Sequence, residues 1–227
     1  MKLIPRVFLL ATAGMCAVLP FRVSAQEWQN RFYCKFDAGA SWLESTEVKD
    51  FFGPVPSDTR VDFDVGPRFG ITLGYNITDW FAAELDTGFM DNPVRSLTGA
   101  TDVEASVYTV PFMGNVRFQL PNRSRFTPYI GAGAGANSSV FDVSHIQYFG
   151  TYFSGSASDV VFAFQAIAGF RVAINQHMGL GLEYHFIHSE APTYEVNYGT
   201  AFNIYSDHVA FGEMNMHVAA LRFDITF

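Results

Sequence analysis

Apolar and polar residues alternate one for one along most of this chain, and nothing else in it constrains the fold as strongly. In residues 63–77, Phe63, Val65, Phe69, Ile71, Leu73, Tyr75 and Ile77 share one parity, and Asp64, Gly66, Arg68, Gly70, Thr72, Gly74 and Asn76 the other. In 108–120, Tyr108, Val110, Phe112, Val116, Phe118 and Leu120 stand against Thr109, Met113, Asn115, Arg117 and Gln119. A period of two puts alternate side chains on opposite faces of a strand, and helical periodicity is scarce, so the chain reads as all-β.

Eight strands are expected, at roughly 31–42, 61–76, 79–90, 103–120, 126–140, 158–174, 178–188 and 208–227. Their connections alternate in length. Asn76 to Asp79, Pro121 to Arg125 and Asn175 to His177 are short turns, whereas 43–60, 91–102, 141–157 and 189–207 are long and polar, with Gly, Pro and Ser. Short turns at one end and long loops at the other are the pattern of an eight-stranded antiparallel up-and-down transmembrane β-barrel, with short periplasmic turns and four long extracellular loops. A barrel satisfies every backbone polar group in lipid, and the strands reach the roughly 9–11 residues a tilted crossing requires.

Alternation alone does not say which face points outward. A soluble barrel would bury the apolar face around a ligand. Two features favour the inverse arrangement. The polar face is rich in glycine and carries charges of both signs, which suits a narrow interior. Aromatic residues such as Phe118, Phe126 and Phe227 crowd the strand ends of the apolar face, where an interfacial girdle would lie.

Residues 1–25 read as a cleaved signal peptide. Lys2 and Arg6 precede the apolar run Val7 to Leu19, and Val23-Ser24-Ala25 offers small residues for cleavage. The domain is then 26–227, which is 227 − 25 = 202 residues. Losing Lys2, Arg6 and Arg22 takes the net charge from −8 to −11. One cysteine, Cys34, remains, so no intrachain disulfide forms. The acidic balance excludes nucleic acid as a partner, because phosphate binding requires basic patches.

The ending Leu221-Arg222-Phe223-Asp224-Ile225-Thr226-Phe227 resembles the C-terminal assembly signal of bacterial outer-membrane barrels, carried by Leu221, Phe223, Ile225 and Phe227. Pro128-Tyr129-Ile130-Gly131-Ala132-Gly133-Ala134-Gly135 resembles a strand signature of the small porin-like, opacity-type barrels, and Gly74 to Asp79 resembles their first inward turn. This likeness to the OmpA-like barrels covers essentially the whole mature chain. It implies outer-membrane localisation, a periplasmic N-terminus and surface loops, and no single function. The partners it implies are outer-membrane lipid and lipopolysaccharide, the barrel-assembly machinery and, at the loops, a host or surface ligand.

With the first strand rising from the periplasm, the inward midsections carry Lys35, Arg68, Arg117, Arg171 and Arg222 together with Asp37, Glu84, Asp86, Glu183 and Asp224. Five charges of each sign fit a narrow interior, which tolerates charge only when it is paired. Eight strands leave room for side chains and little else, so a plug of ion pairs is favoured over a charged pore constriction. The outer end holds fifteen acids against Lys49, Arg60 and Arg95, a net −12 that keeps the loops solvated and attracts cations or basic partners. Among these acids are Glu44, Asp62, Asp64, Asp159 and Glu213.

Aromatic residues recur in the loops: Tyr148, Phe149, Tyr152 and Phe153 in the third, and Tyr194, Tyr198, Phe202 and Tyr205 in the fourth. They either pack the loops together or form a contact surface. His185, His188, Ser189 and Glu190 raise the question of a lipid A-modifying enzyme. Adjacent His188 and Ser189 point to opposite faces of a strand, however, which breaks the pattern of such enzymes. His185 is expected to join the interior network and His188 to lie at the interface. No metal or cofactor motif is present in the spacing of the six histidines or the glycines. The reading is a non-enzymatic outer-membrane barrel with a structural and surface-interaction role, and the alternative is a narrow channel for small solutes or cations.

Overall fold

The structure is a computed structural model that describes residues 31–121, 124–148, 151–200 and 203–227, without the side chains of 148, 151–153, 196–200 and 203–206. The expected signal peptide, Phe149 and Phe202 lie outside the described residues, as do the side chains of Tyr148, Tyr152, Phe153, Tyr198 and Tyr205.

Among the described residues, twelve strands form: β1 (Phe32–Leu43), β2 (Thr46–Phe51), β3 (Arg60–Phe63), β4 (Gly66–Asn76), β5 (Phe81–Leu97), β6 (Ala100–Gln119), β7 (Phe126–Tyr148), β8 (Thr151–Ala173), β9 (Met178–Ser189), β10 (Thr193–Thr200), β11 (Asn203–Phe211) and β12 (Met214–Thr226). Eight of them close a ring in the order β1, β4, β5, β6, β7, β8, β9, β12, all antiparallel. The seam pairs β1 with β12 from Tyr33↔Thr226 to Leu43↔Met216, so no edge is left to lipid. Short turns at the inner end are fixed by polar side chains. Asn175 Oδ1 accepts the backbone N–H of His177 and of Met178 at 2.9 and 2.8 Å, and Thr78 Oγ1 accepts that of Phe81 at 3.0 Å.

The barrel is inside out relative to a soluble one. Lys35, Arg68 and Arg222 are 1%, 0% and 2% exposed, while Leu85 and Leu221 on the outer wall are 65% and 70% exposed.

The four outer connections, expected as long polar loops, carry β-structure that continues the wall among the described residues. β5 and β6 run on to Leu97 and Ala100 and meet at a turn containing Gly99, whose φ of 84° suits glycine. β7 and β8 continue to Tyr148↔Thr151. The hairpins β2–β3 and β10–β11 lie alongside: β3 pairs with the outer part of β5 and β11 with β2. Thr193 N donates to Asp159 Oδ2 at 2.8 Å and ties the start of β10 to β8. The result is an outer collar running β10, β11, β2, β3, β5, β6, β7, β8. These segments alternate too, with Val48, Phe51, Val61 and Val209 inward against Glu47, Lys49 and Arg60 outward. Their inner faces form an apolar core above the barrel's charged interior.

Candidate functional site

The interior has two tiers, and the lower is built from charge. Lys35 on β1 reaches Glu84 of β5 at 2.9 Å and Glu183 of β9 at 3.2 Å. Arg117 of β6 pairs with Glu84 at 2.9 Å, and Arg222 of β12 with Glu183 at 3.3 Å and Asp224 at 3.1 Å. Arg171, the least buried of the ten, reaches Asp224 at 2.5 Å. One level higher, Arg68 pairs with Asp37 at 3.0 Å and Asp86 at 3.6 Å. All ten charged residues singled out from the sequence face this interior. Each has an oppositely charged neighbour, which offsets the cost of taking it out of water.

Uncharged side chains complete the network. Tyr33 donates to Glu84 at 2.5 Å and Tyr129 to Glu183 at 2.6 Å. The guanidinium groups of Arg117 and Arg222 stand 5.1 and 4.8 Å from the centre of the Tyr129 ring. Thr72 donates to Asp86, and Gln165 to Asn115. His185 reaches Glu183 at 2.9 Å and Gln165 at 3.2 Å. Sequence reasoning placed His185 here and missed Tyr33, Tyr129, Asn115 and Gln165. Their signal was parity: Tyr33 stands two residues before Lys35, and Asn115 two before Arg117.

The glycines of the polar face make room for these groups. A Cβ at Gly74 would run into the Tyr33 ring, one at Gly70 into the Asp37 carboxylate, and one at Gly133 into the Asn115 side chain. The repeat Gly131, Gly133, Gly135 therefore lets β7 lie close against the β6 backbone and clear of the Asn115 side chain.

The upper tier is apolar. Phe141 of β7, Tyr194 of β10 and Phe211 of β11 stack edge to face or tilted, with centroids 5.2–5.8 Å apart. Phe51, Met90, Met113, Ile146 and Met216 join the same core. Tyr194 is fully buried and donates to Ser139 at 2.8 Å, and burial raises its phenol pKa. Of the two roles left open for the loop aromatics, Tyr194 takes the packing one. Between the tiers, Ser41 donates to Asn92 Oδ1 at 3.1 Å, and Asn92 donates to the Ser41 and Asp64 carbonyls.

Outside the lumen, His188 faces outward and Ser189 is buried inward, so they do not meet. Asp50, Asp207 and His208 hold ligand-type atoms within 4.8 Å of one another where β2 meets β11. Asp50 already accepts from Gly53 N and Asp207 from His208 N. Around the collar, Arg95 pairs with Asp64 at 2.6 Å, and Asp62 accepts from the Ser45 and Ser96 hydroxyls. Those hydroxyl bonds hold the Asp62 carboxyl below its ordinary range.

A closed ring of eight strands with its charges inside and its leucines outside is the architecture of one class of membrane protein, and residues 8–220 match the family described as outer membrane protein beta-barrel domain. The chain belongs to the outer-membrane β-barrel family. Solved structures place this barrel among its kind. It resembles Neisserial surface protein A at 14% identity, with a TM-score of 0.54, 86% of this chain covered and 97% of that one. It resembles OprG of Pseudomonas aeruginosa at 16% identity, with a TM-score of 0.58 and 87% and 97% covered. The outer membrane protease OmpT of Escherichia coli aligns at 8% identity, with a TM-score of 0.54 and 93% and 99% covered. At such identities the barrel shares their fold. No curated protein sequence matches it.

Proposed function

We propose that this protein is an exported outer-membrane barrel that acts through its outer collar and does not conduct solute. The observation that carries this reading is the two-tier interior. A permeating ion would have to leave its water at the apolar tier before reaching the charges beneath it. Eight strands leave no spare lumen once Arg68, Arg117 and Arg222 fill it. What remains available to partners is the acidic outer face of the collar, carried by residues such as Glu47, Asp58 and Glu195. Outer-membrane lipid and lipopolysaccharide surround the wall, the assembly machinery inserts it, and a host or surface ligand meets the collar.

Three measurements test this. Mature protein refolded in detergent is expected to run faster on a gel before boiling than after, as a compact barrel. In planar bilayers it is expected to show no conductance steps. Regular steps at the wild-type sequence would favour the small-solute channel instead. Replacing the collar hairpins 46–63 and 193–211 with short turns is expected to abolish surface binding by cells that carry the barrel. Unchanged binding would sink the collar as the contact surface.

A further inference from the structure

The outer collar stops one pairing short of closing. Its sheet begins at β10 and ends at β8, and among the described residues no ladder joins the two. From Thr151 to Phe162, β8 pairs on one side alone, with β7, because β9 ends at Ser189, opposite Ala163. A side chain ties the two ends at the base of the gap: Asp159 Oδ2 accepts the Thr193 N–H at 2.8 Å.

The β8 edge carries a definite set of free groups. The Phe162 carbonyl accepts the Glu190 N–H at 3.0 Å, so it points away from β7. Residues two apart on a strand turn their peptide groups to the same side, so Val160, Ser158 and Ser156 also face the gap. Asp159 Oδ1 takes up the Val160 N–H at 2.8 Å. The N–H and C=O of Ser158 and Ser156, and the C=O of Val160, meet no backbone partner among the described residues. A row of such groups is a template for one more strand. Ser156 and Ser158 are small and exposed on the outer face, so no bulky side chain guards the approach.

Charge selects the strand that fits. Lys49, Arg60 and Arg95 all stand on β2, β3 and β5, the half of the collar away from the gap. No lysine or arginine occurs in 96–116, 126–170 or 172–221. The gap is bordered instead by Asp142, which stands opposite Ser156 on β7, and by Asp159, Glu190 and Glu195. A second copy of this chain would bring these same acids together across the new pair, and like charges placed there are destabilising. A lysine or arginine on an added strand reaches over the small serine to Asp142, with its stem along the sheet.

We infer that the β8 edge takes up an extended, basic segment of another protein, which joins the collar as an added strand. The collar's role as the contact surface underlies this and is tested separately by the hairpin replacement. The probe is a synthetic peptide of about eight residues alternating lysine and threonine, compared with one of equal charge in which proline replaces each threonine. Refolded barrel in detergent is expected to bind the first about tenfold more tightly by fluorescence anisotropy, because proline donates nothing to a ladder. The bound peptide is expected to slow amide exchange at Ser156 and Ser158. Ser158→Pro removes one edge N–H, which an edge strand tolerates, and is expected to weaken binding about tenfold while the boiling-dependent shift is kept. Asp142→Asn leaves every backbone group in place and is expected to weaken it about threefold. Equal affinity for the two peptides, or unchanged exchange at Ser156 and Ser158, overturns the added strand whatever the hairpin replacement does to binding by cells. Light scattering that shows a dimer, with those two amides protected in the absence of peptide, overturns the occupant and gives the edge to a second copy.

Discussion

Tyr194 and Ser139 are 55 positions apart and share a 2.8 Å hydrogen bond inside the barrel mouth. Through it, the segment that leaves β9 at the outer end is held against β7 at the barrel mouth. Tyr194→Phe keeps the ring between Phe141 and Phe211 and loses about 1 kcal/mol. Tyr194→Ala removes the ring and is expected to cost about 3–5 kcal/mol. Urea unfolding followed by gel mobility separates the two; equal effects would mean the ring packs against nothing of consequence.

Conductance is expected to require breaching both tiers. Arg117→Ala alone loosens the charged tier beneath an intact apolar one, so its bilayer recordings are expected to stay at baseline. Arg117→Ala combined with Tyr194→Ala is expected to produce steps. Steps from Arg117→Ala alone would show that the apolar tier does not seal.

The charged tier is expected to respond to single and paired changes in opposite ways. Lys35→Met removes the cation shared by Glu84 and Glu183 and leaves each with one arginine, Arg117 or Arg222, and a broken buried pair costs about 3–5 kcal/mol. Adding Glu84→Gln to Lys35→Met removes one of the two carboxylates that lost Lys35 and is expected to recover part of that loss. A double variant less stable than Lys35→Met, measured by urea unfolding in detergent, would count against Lys35 acting through its carboxylate partners.

Space, more than charge, is expected to govern the glycine face. A Cβ at Gly135 collides with the backbone carbonyl of Phe112, which cannot swing away, so Gly135→Val is expected to prevent the boiling-dependent shift. At Gly114, on the outer wall, the nearest atom to an added Cβ is 3.8 Å away, and Gly114→Ala is expected to fold normally. Similar yields of folded barrel from both would remove the steric argument.

The collar is expected to loosen in acid before the barrel does. Hydrogen bonds from His217 and then Asn215 hold the Glu44 carboxyl below its ordinary 4.5, and those from Ser45 and Ser96 hold Asp62 below its ordinary 3.8. A lowered folded-state value means the stabilisation is complete above the ordinary value and fades as pH falls through the folded one. Amide exchange in Arg60–Phe63 and at the outer end of β12, corrected for intrinsic rate, is expected to rise between about pH 5 and about pH 3. Flat corrected rates would mean these bonds hold nothing in place.

The barrel wall was legible because alternation is a local signal. Parity alone put Arg68, Glu84 and Arg222 on one side and Leu85 and Leu221 on the other, and the structure keeps that division. The collar was not legible. Its strands are short, its acids dominate the composition, and its pairings join residues far apart, as Val209 of β11 joins Phe51 of β2. Which of its two expected roles Tyr194 takes was not legible for the same reason: its neighbours in sequence are polar, and its partners Phe141 and Ser139 lie on another strand. The bonds that link Tyr184 through His217 to Glu44 span 140 positions, and parity reports which face a residue takes but not which residue it meets.

Inside the wall, each side chain is held to its size and charge by another: Gly74 by Tyr33, Lys35 by two glutamates, Tyr194 by two rings. A change at any one requires an answering change elsewhere. Among the described residues, the outward side chains of the collar answer to little within the chain beyond exposed pairs such as Arg95 with Asp64. The exposed coat of such a protein is therefore free to vary, while the lumen beneath it is not.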